Sequence, residues 1–295
     1  MTPKIVVVGS FNADLMAYTE RLPRPGETVA GHRFALGAGG KGTNQAVAAA
    51  RLGAEVSFVG RIGQDVFAQS ALDLWRREGI DATYVVQDAD VSTGVAPVLV
   101  DDAGENSIVV VLGANLALSR SDVEEASDLI AGADVLLTQL EVADEATTAA
   151  LELARRSGTT SILNPAPATA VARETLELAD WLTPNETELE TLSGAHGVSP
   201  PLRSGQRLAI TLGASGAVYV GEGARVDVPA PRVAAVDTTG AGDAFNGALA
   251  VALAEGAEPV EAIRFANAAA ALSVTRHGTS ASMATRVEVD EALRV

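Results

Sequence analysis

The sequence predicts an α/β fold in which helices cover both faces of a mainly parallel central sheet. Apolar residues make up 47% of the 295 residues and aromatic residues only 4%. Ala, Val and Leu must therefore fill the core, as is common where helices pack on a parallel sheet. Short β-branched runs alternate with longer helical segments, which is the pattern of βαβ units. No change in composition divides the chain, and we expect one domain over residues 1–295.

The chain opens on a predicted strand at residues 5–8, where the run Ile-Val-Val-Val is closed by a glycine. An unbroken β-branched run of this length indicates a strand that is buried on both faces. An Ala-rich helix is expected at 45–52, a strand at 56–59 and a helix at 67–78. These elements begin the alternation of strands and helices.

Two segments depart from this alternation. Residues 15–34 are interrupted by prolines and a glycine, and residues 94–111 form two β-rich runs around a polar turn at 101–104. The second segment therefore predicts a hairpin. We expect both segments, with approximate bounds 12–35 and 94–112, to leave the main sheet and pair into a small sheet that forms a lid over the site.

The alternation of strands and helices returns in the second half of the chain. Between residues 193 and 208 the sequence is rich in glycine and proline, which predicts no long helix there. Elsewhere in this half the pattern is regular. Strands are expected at 135–140, 160–163, 181–183 and 208–212, and helices at 145–156, 244–254 and 260–274.

Charge and cysteine content narrow the function classes. The chain carries 21 Lys and Arg against 38 Asp and Glu, a net charge of −17, and we expect no nucleic-acid partner because such binding needs clustered cations. It has no cysteine, so thiol nucleophiles and zinc–thiolate sites are excluded and any metal must be held by oxygen. The apolar run at 5–8 is too short for a membrane span or a signal-peptide core, so a cytoplasmic protein is expected.

A first glycine cluster, Gly-Ala-Gly-Gly-Lys-Gly at 37–42, satisfies the G-x-G-x-x-G pattern of dinucleotide-binding folds. It does not directly follow the first strand, as that pattern requires. It is not a P-loop either, because Gly42 stands where a Ser or Thr must hold Mg²⁺. The residues are consistent with a turn that exposes backbone before a helix and presents Lys41 and Asn44, or with a plain tight turn.

A second glycine cluster, Asp-Thr-Thr-Gly-Ala-Gly-Asp at 237–243, precedes an apolar helix. The N–H groups of Gly240, Ala241 and Gly242 would point away from the helix start, where anions are favoured. Asp243 could accept a proton from a hydroxyl as that hydroxyl attacks a phosphorus atom held by those N–H groups. These residues predict a catalytic base beside an anion hole. The alternative is that Asp243 only caps the helix.

Two longer motifs and a series of shorter ones follow one another along nearly the whole chain. The longer motifs lie at 39–46 and 237–243, and the shorter ones at 9–14, 25–28, 139–141, 164–168, 183–188 and 210–213. In this order they resemble the PfkB family of carbohydrate kinases, and its ribokinase branch in particular. The resemblance implies a ribokinase-like three-layer α/β/α sandwich with a small β-sheet lid.

The same resemblance implies transfer of the γ-phosphoryl group of ATP to the primary 5-hydroxyl of D-ribose, with Mg²⁺ and a monovalent cation, expected to be K⁺, as cofactors. It also implies a homodimer formed through the lid. A kinase for 2-deoxyribose, fructose, a sugar acid or a nucleoside, a sugar-binding regulator without catalysis, and a dehydrogenase remain alternatives. Asn12 favours ribose among the sugars, because its amide can meet a hydroxyl that a deoxy sugar lacks.

The resemblance also implies roles for individual residues. Sugar-binding residues are Asn12, Asp14, Gly40, Lys41, Asn44, Glu141 and Asp243. The nucleotide and its Mg²⁺ would be held by Asn185, Glu188, Thr211, Gly213, Ser215, Gly216, Gly242 and Asn267, although a packing hydrogen bond is an alternative role for Asn267. The monovalent cation would be held by Asp237, Thr239, Ser273, Arg276, Gly278 and Ser282, several of them through backbone carbonyls.

Overall fold

β-Branched and leucine-rich runs form the central strands of a nine-stranded sheet. The computed structural model describes residues 1–168, 171–196 and 202–294. Its strands are β1 (Lys4–Val8), β2 (Asn12–Thr19), β3 (Gly31–Gly39), β4 (Glu55–Gly63), β5 (Asp81–Asp88), β6 (Gly94–Asp101), β7 (Asn106–Ile108), β8 (Val135–Gln139), β9 (Thr160–Asn164), β10 (Trp181–Leu182), β11 (Arg207–Thr211), β12 (Ala217–Gly221) and β13 (Ala224–Val228). Its helices are α1 (Lys41–Arg51), α2 (Val66–Arg77), α3 (Arg120–Glu125), α4 (Ser127–Ala131), α5 (Asp144–Ser157), α6 (Arg173–Leu178), α7 (Glu186–His196), α8 (Ala241–Ala254), α9 (Pro259–Ser273) and α10 (Arg286–Ala292).

The large sheet has the order β13-β12-β11-β10-β9-β8-β1-β4-β5. Neighbouring strands from β11 to β5 run parallel, whereas β12 and β13 add an antiparallel edge. The expectation of a mainly parallel sheet is therefore confirmed. All five residues of β8 are buried, as expected for a central strand that is covered on both faces.

Helices cover both faces of this sheet, which gives the three layers expected. Successive side chains of β1 point to opposite faces, and they enter two separate apolar cores. Ile5 and Val7 pack with residues of α1, α2, α8 and α9. Val6 and Val8 pack with residues of α3 and α5 on the other face.

A smaller four-stranded sheet has the order β3-β2-β6-β7. β2 pairs antiparallel with β3 and parallel with β6, and β6 pairs antiparallel with β7. The two segments that depart from the alternation thus pair into one separate sheet, as predicted. β2 begins four residues after the end of β1 and β3 ends two residues before α1, so this lid is rooted directly beside the carboxyl end of β1.

The main differences from the sequence-based elements lie at helix starts and edge strands. α1 begins at Lys41 and α8 at Ala241, several residues earlier than the apolar pattern indicates, because glycines occupy their first turns. β5, β12 and β13 were not predicted. β5 and β13 are exposed or half-exposed edge strands that lack a continuous apolar run, whereas β12 is a buried apolar run that was overlooked. Part of the segment expected to lack a long helix, residues 197–201, lies outside the described residues. Within the described residues, no helix is long and apolar enough to span a membrane.

Candidate active site

The start of α8 forms one wall of the site. Gly240 precedes the helix with a left-handed backbone conformation (φ of 80°), which glycine adopts without strain. The Ala241 N–H donates to the carbonyl of Thr238 at 3.3 Å, whereas the N–H groups of Gly240 and Gly242 have no acceptor among the described residues. Two free N–H groups at a helix N-terminus make a favourable place for an anion.

Asp243 lies in the first turn of α8 and is buried. Its two carboxylate oxygens accept hydrogen bonds from α1, one from Asn44 Nδ2 at 2.8 Å and one from Gln45 Nε2 at 3.0 Å. Gly240 occupies the N-cap position, and no side chain caps the helix there. The capping alternative for Asp243 is therefore wrong, because its carboxylate reaches across to α1 instead of back to its own backbone.

A chain of buried amides extends behind Asp243. Gln139 Nε2 donates to Gln45 Oε1 at 2.6 Å, and Gln45 Nε2 also donates to Asn164 Oδ1 at 3.2 Å. Asn164 in turn donates to the carbonyl of Thr183 at 3.0 Å. Gln45, Gln139 and Asn164 were not among the predicted site residues. A signal was present, because Gln139 and Asn164 are polar residues that end apolar strands at the carboxyl edge of the sheet, where ligands bind in open α/β folds.

The first glycine cluster is a close-packing turn and not an anion hole. The Lys41 N–H donates to Glu141 Oε2 at 2.9 Å, and the Gly42 and Thr43 N–H groups donate to the side chain and backbone of Ser10. A Cβ atom on Gly42 would lie 2.4 Å from the Ser10 nitrogen. Glycine therefore lets α1 begin directly against the chain that leaves β1.

This packing gathers the polar side chains that were predicted to bind sugar. Glu141 Oε2 accepts from Ser10 Oγ at 2.5 Å as well as from Lys41, which leaves the other carboxylate oxygen free. Asn44 Oδ1 is buried beside Asp243 and has no hydrogen-bond partner among the described residues. An open acceptor of this kind is costly unless a ligand donates to it.

Asp14 closes the other side of this group of residues. Its carboxylate lies over Gly39, where a Cβ atom would come within 2.4 Å of Asp14 Oδ2. Burial, together with the negative charges of Glu141 and Asp243, raises the pKa of Asp14 to about 6. A long hydrogen bond from Thr279 Oγ1, at 3.4 Å, offsets only part of this effect, so the charge of Asp14 stays expensive until a further donor reaches it.

Lys41 supplies the positive charge of the site. Burial alone would lower the pKa of Lys41, but the carboxylates of Asp243, Glu141 and Glu188 outweigh it and raise this pKa above its ordinary value. Lys41 therefore stays protonated. Burial also raises the pKa of Glu188.

Lys41, Asn185, Glu188, Thr211 and Gly240–Asp243 line one cavity of about 180 Å³. Asn185 and Glu188 form a reciprocal cap at the start of α7, each side chain accepting from the other's backbone N–H at 2.8 Å. The other oxygen of Glu188 has no hydrogen-bond partner in the described part of the chain. No cluster of three or more His, Cys, Asp or Glu able to hold a metal occurs in the described part of the chain. The donor set fits Mg²⁺, which keeps most of its waters and needs only one or two carboxylates.

Other residues predicted to bind the nucleotide lie outside this cavity. Gly213, Ser215 and Gly216 form the turn between β11 and β12, as expected from the sequence. Asn267 is buried, and its amide donates to the Val228 carbonyl at 2.8 Å. Its side chain thus makes the packing hydrogen bond that was the alternative to nucleotide contact.

Of the residues predicted to hold a monovalent cation, Thr239 and Gly278 contact Asp237. Its carboxylate oxygens accept from the N–H groups of Gly278 and Thr239, each at 3.0 Å. Burial opposes ionisation, but these two N–H groups hold the pKa of Asp237 below its ordinary range. The backbone N–H of Arg276 donates to the Ser273 carbonyl, and Ser282 Oγ donates to the Thr279 carbonyl. The loop therefore presents an ionised carboxylate among several backbone carbonyls.

The family profile described as pfkB family carbohydrate kinase matches residues 2–286. The chain belongs to this family. The ribokinase of Mus musculus is 41% identical over 98% of this chain and 94% of the relative, and the deoxyribokinase of Salmonella typhi is 38% identical over 98% of each. The solved structure of Arabidopsis thaliana ribokinase complexed with ribose and ATP is 34% identical and covers 100% of both chains, with a TM-score of 0.89.

Membership of the pfkB family confirms the predicted ribokinase-like fold and makes the chain a carbohydrate kinase. The dehydrogenase alternative is wrong. The G-x-G-x-x-G cluster that suggested it spans the end of lid strand β3 and the start of α1. It does not join the first strand of the main sheet to a helix, where a dinucleotide pyrophosphate would be bound.

Proposed function

We propose that this pfkB-family kinase transfers the γ-phosphoryl group of ATP to the 5-hydroxyl of D-ribose and forms ribose 5-phosphate. The observation that carries the proposal is the arrangement around Asp243. A buried carboxylate lies within one helical turn of the free N–H groups of Gly240 and Gly242, and Asn44 beside it keeps an open acceptor. The relatives named ribokinase and the Arabidopsis structure with ribose and ATP support this choice of substrates.

Asp243 acts as the general base. Its two oxygens are oriented by Asn44 and Gln45, and each retains a lone pair for the hydroxyl that attacks the phosphorus. The N–H groups at residues 240–242 stabilise charge on the transferred phosphoryl group, with Gly240 and Gly242 free in this structure. Catalysis of this kind consists mainly of positioning and charge stabilisation.

Lys41 and Glu188 act on the phosphates of ATP. The ammonium group of Lys41, kept protonated by the surrounding carboxylates, attracts the phosphates towards the start of α8. Asn185 and Glu188 would hold Mg²⁺, largely through its waters, and the metal when bound neutralises phosphate charge. Closure of the lid over the sugar would exclude water, which otherwise competes as the phosphoryl acceptor.

Ribose is preferred over 2-deoxyribose in this proposal because Asn12 is a buried amide. The Asn12 amide has partners in Asn115 and Glu141, but its second N–H needs a sugar oxygen, a requirement that an apolar residue would not impose. Because the deoxyribokinase of Salmonella typhi is 38% identical to this chain, 2-deoxyribose is the second candidate substrate. Fructose, sugar acids and nucleosides complete the substrate panel.

Two further features belong to the same proposal. The loop of Asp237 and Gly278 binds K⁺, supported by its ionised carboxylate and the carbonyls around it. The outer face of the lid pairs with the lid of a second copy. The lid exposes the large apolar side chains of Phe34 and Leu36, at 65% and 52% of their full accessibility. These two residues alternate along β3 and so share one face, and such patches mark association surfaces. The enzyme would work in the cytoplasm.

Coupled measurement of ADP formation with a panel of pentoses, hexoses, sugar acids and nucleosides tests the substrate. We expect D-ribose to give the highest kcat/KM, with the product phosphorylated on the 5-oxygen by ³¹P NMR. Turnover of ribose no faster than ATP hydrolysis without sugar would reject the assignment. A preference for 2-deoxyribose would establish the second candidate.

A further inference from the structure

Asn115 is a fully buried side chain in the turn at Gly113–Ala117, just after the second lid segment. Its Oδ1 accepts from the Phe11 N–H at 3.0 Å. Its Nδ2 faces three oxygens, the carbonyls of Phe11 at 2.9 Å and Leu112 at 2.8 Å, and Asn12 Oδ1 at 3.0 Å. Asn115 thus joins the base of the lid, the chain after β1 and the side chain of Asn12.

These contacts allow only one orientation of the Asn115 amide. Rotating it by half a turn would set its oxygen against two backbone carbonyls and its NH₂ group against the Phe11 N–H. Backbone groups have fixed polarity, so Asn115 must present a donor to Asn12. Asn12 must then direct its oxygen to Asn115 and its NH₂ group the other way, where Glu141 Oε2 lies at 3.5 Å.

The lid covers this pair of amides. Gly94, the first residue of β6, lies so close that a Cβ atom there would meet Asn12 Oδ1 at 2.2 Å and Asn115 Nδ2 at 2.4 Å. Asn12 is only 3% exposed and Asn115 is 0% exposed. Water cannot replace a hydrogen bond between two amides that are this deeply buried. The orientation of the Asn115 amide therefore fixes the orientation of the Asn12 amide.

We propose that Asn115 is a positioning residue that sets the polarity of the sugar pocket at Asn12. The backbone of Phe11 and Leu112 orients Asn115, and Asn115 orients Asn12 so that an N–H donor faces the ligand. One N–H of this NH₂ group is directed to Glu141 Oε2. The sugar must therefore offer an acceptor oxygen to the other N–H, and a deoxy sugar that lacks this oxygen leaves that N–H unpaired. This inference rests on the proposed function only in taking Asn12 as a sugar contact.

The test compares Asn12→Ala, Asn115→Ala and the double variant, using ribose and each of its singly deoxygenated analogues. The deoxy analogue against which Asn12→Ala no longer discriminates identifies the hydroxyl that Asn12 contacts. We expect Asn115→Ala to lose about tenfold in preference for ribose over that same analogue, with the KM for ATP unchanged. The double variant should lose no more than Asn12→Ala alone, because both changes remove one interaction.

Asn12→Asp provides a second test that keeps Asn115 in place, in case Asn115→Ala does not fold. An aspartate at 12 still accepts from Asn115 but has no N–H to offer, so it should lose the same preference as Asn12→Ala. The matched control is Asn106→Ala, an exposed asparagine of the lid strand β7, which should keep the wild-type preference.

Three results would overturn the inference. They are an unchanged preference in a folded Asn115→Ala variant, losses that add in the double variant, or retained preference in Asn12→Asp. If the wild-type enzyme phosphorylates another sugar and turns over ribose no faster than it hydrolyses ATP without sugar, the proposed function fails. The same comparison is then made with that sugar and its deoxy analogues, and the two ideas are judged separately.

Discussion

Gln45 donates a hydrogen bond of 3.0 Å to Asp243, a residue 198 positions away in the sequence. Gln45 lies on α1 and Asp243 in the first turn of α8. Because Gln139 donates to the oxygen of the Gln45 amide, the Gln45 NH₂ group must face Asp243. The orientation of the proposed base therefore depends on a neutral amide that is itself oriented from β8.

Replacing Gln45 by Met keeps the length of the side chain but removes its hydrogen bonds. We expect kcat to fall between about tenfold and 100-fold, because Asp243 loses one of two groups that orient it, with the sugar KM changed much less. Steady-state kinetics with both substrates measures this difference. Gln69→Met, which removes an exposed contact with Asp73, is the control. A folded Gln45→Met enzyme with wild-type kcat would contradict the positioning role.

Gly247 allows α1 and α8 to approach closely enough for this contact. A Cβ atom at 247 would lie 2.6 Å from the Ala48 Cβ and 2.7 Å from the Gln45 carbonyl oxygen. Gly247→Ala should therefore lower the free energy of unfolding by about 1–3 kcal/mol and reduce kcat. Gly194→Ala in α7, where an added Cβ meets nothing within 4 Å, should leave stability unchanged or raise it by up to about 1 kcal/mol. Equal effects of the two changes in urea unfolding would argue against the packing explanation.

Asp14 predicts a pH dependence of sugar binding. Its pKa of about 6 means that it is protonated below that pH and then loses part of its capacity to accept sugar hydroxyls. We expect kcat/KM for the sugar to fall as pH decreases through 6, since this ratio reports the free enzyme. In the Asp14→Asn variant this acidic limb of the kcat/KM profile should be absent, and the overall rate should be lower than in the wild type. Persistence of the same limb in Asp14→Asn would assign it to another group.

The raised pKa of Asp14 also predicts that folding stability changes with pH in the opposite direction from sugar binding. The raised pKa means that the folded chain binds a proton at Asp14 more tightly than the unfolded chain does, so this group favours folding at low pH. That contribution is lost as pH rises from about 4 to about 6. Asp14→Asn without ligands should therefore have a higher Tm than wild type at pH 8, with the difference shrinking towards pH 4. A lower Tm at pH 8 would show that the ionised carboxylate stabilises the fold.

Asp243→Asn tests the base directly. The amide keeps the volume of the carboxylate but cannot take up the proton, and we expect kcat to fall by about 10²- to 10⁴-fold. Sugar affinity, measured by calorimetry, should change far less than kcat. Asp227→Asn on the exposed strand β13 is the matched control. Undiminished phosphorylation by Asp243→Asn would refute the mechanism.

Much of the fold follows from local sequence. The β-branched run of β1 and the apolar run of β8 predict buried parallel strands, because only such strands are covered on both faces. The proline-interrupted segment and the hairpin at 94–111 predict a separate lid. Edge strands such as β5 escape prediction, because their half-polar composition becomes a strand only beside β4.

The sequence by itself determined the pfkB-type motifs and the succession of central strands and helices along the chain. It also determined Asp243 and the glycines that precede it. The tertiary structure alone decided which partners those residues have. It showed Gln45, Gln139 and Asn164 behind the base and Asn115 behind Asn12, while the Asn267 amide bonds to backbone. The physical reason is that a motif specifies backbone shape over a few residues. The direction of a buried amide also depends on donors and acceptors far along the chain, as when Gln139 orients Gln45 at a separation of 94 positions and Phe11 orients Asn115 at a separation of 104.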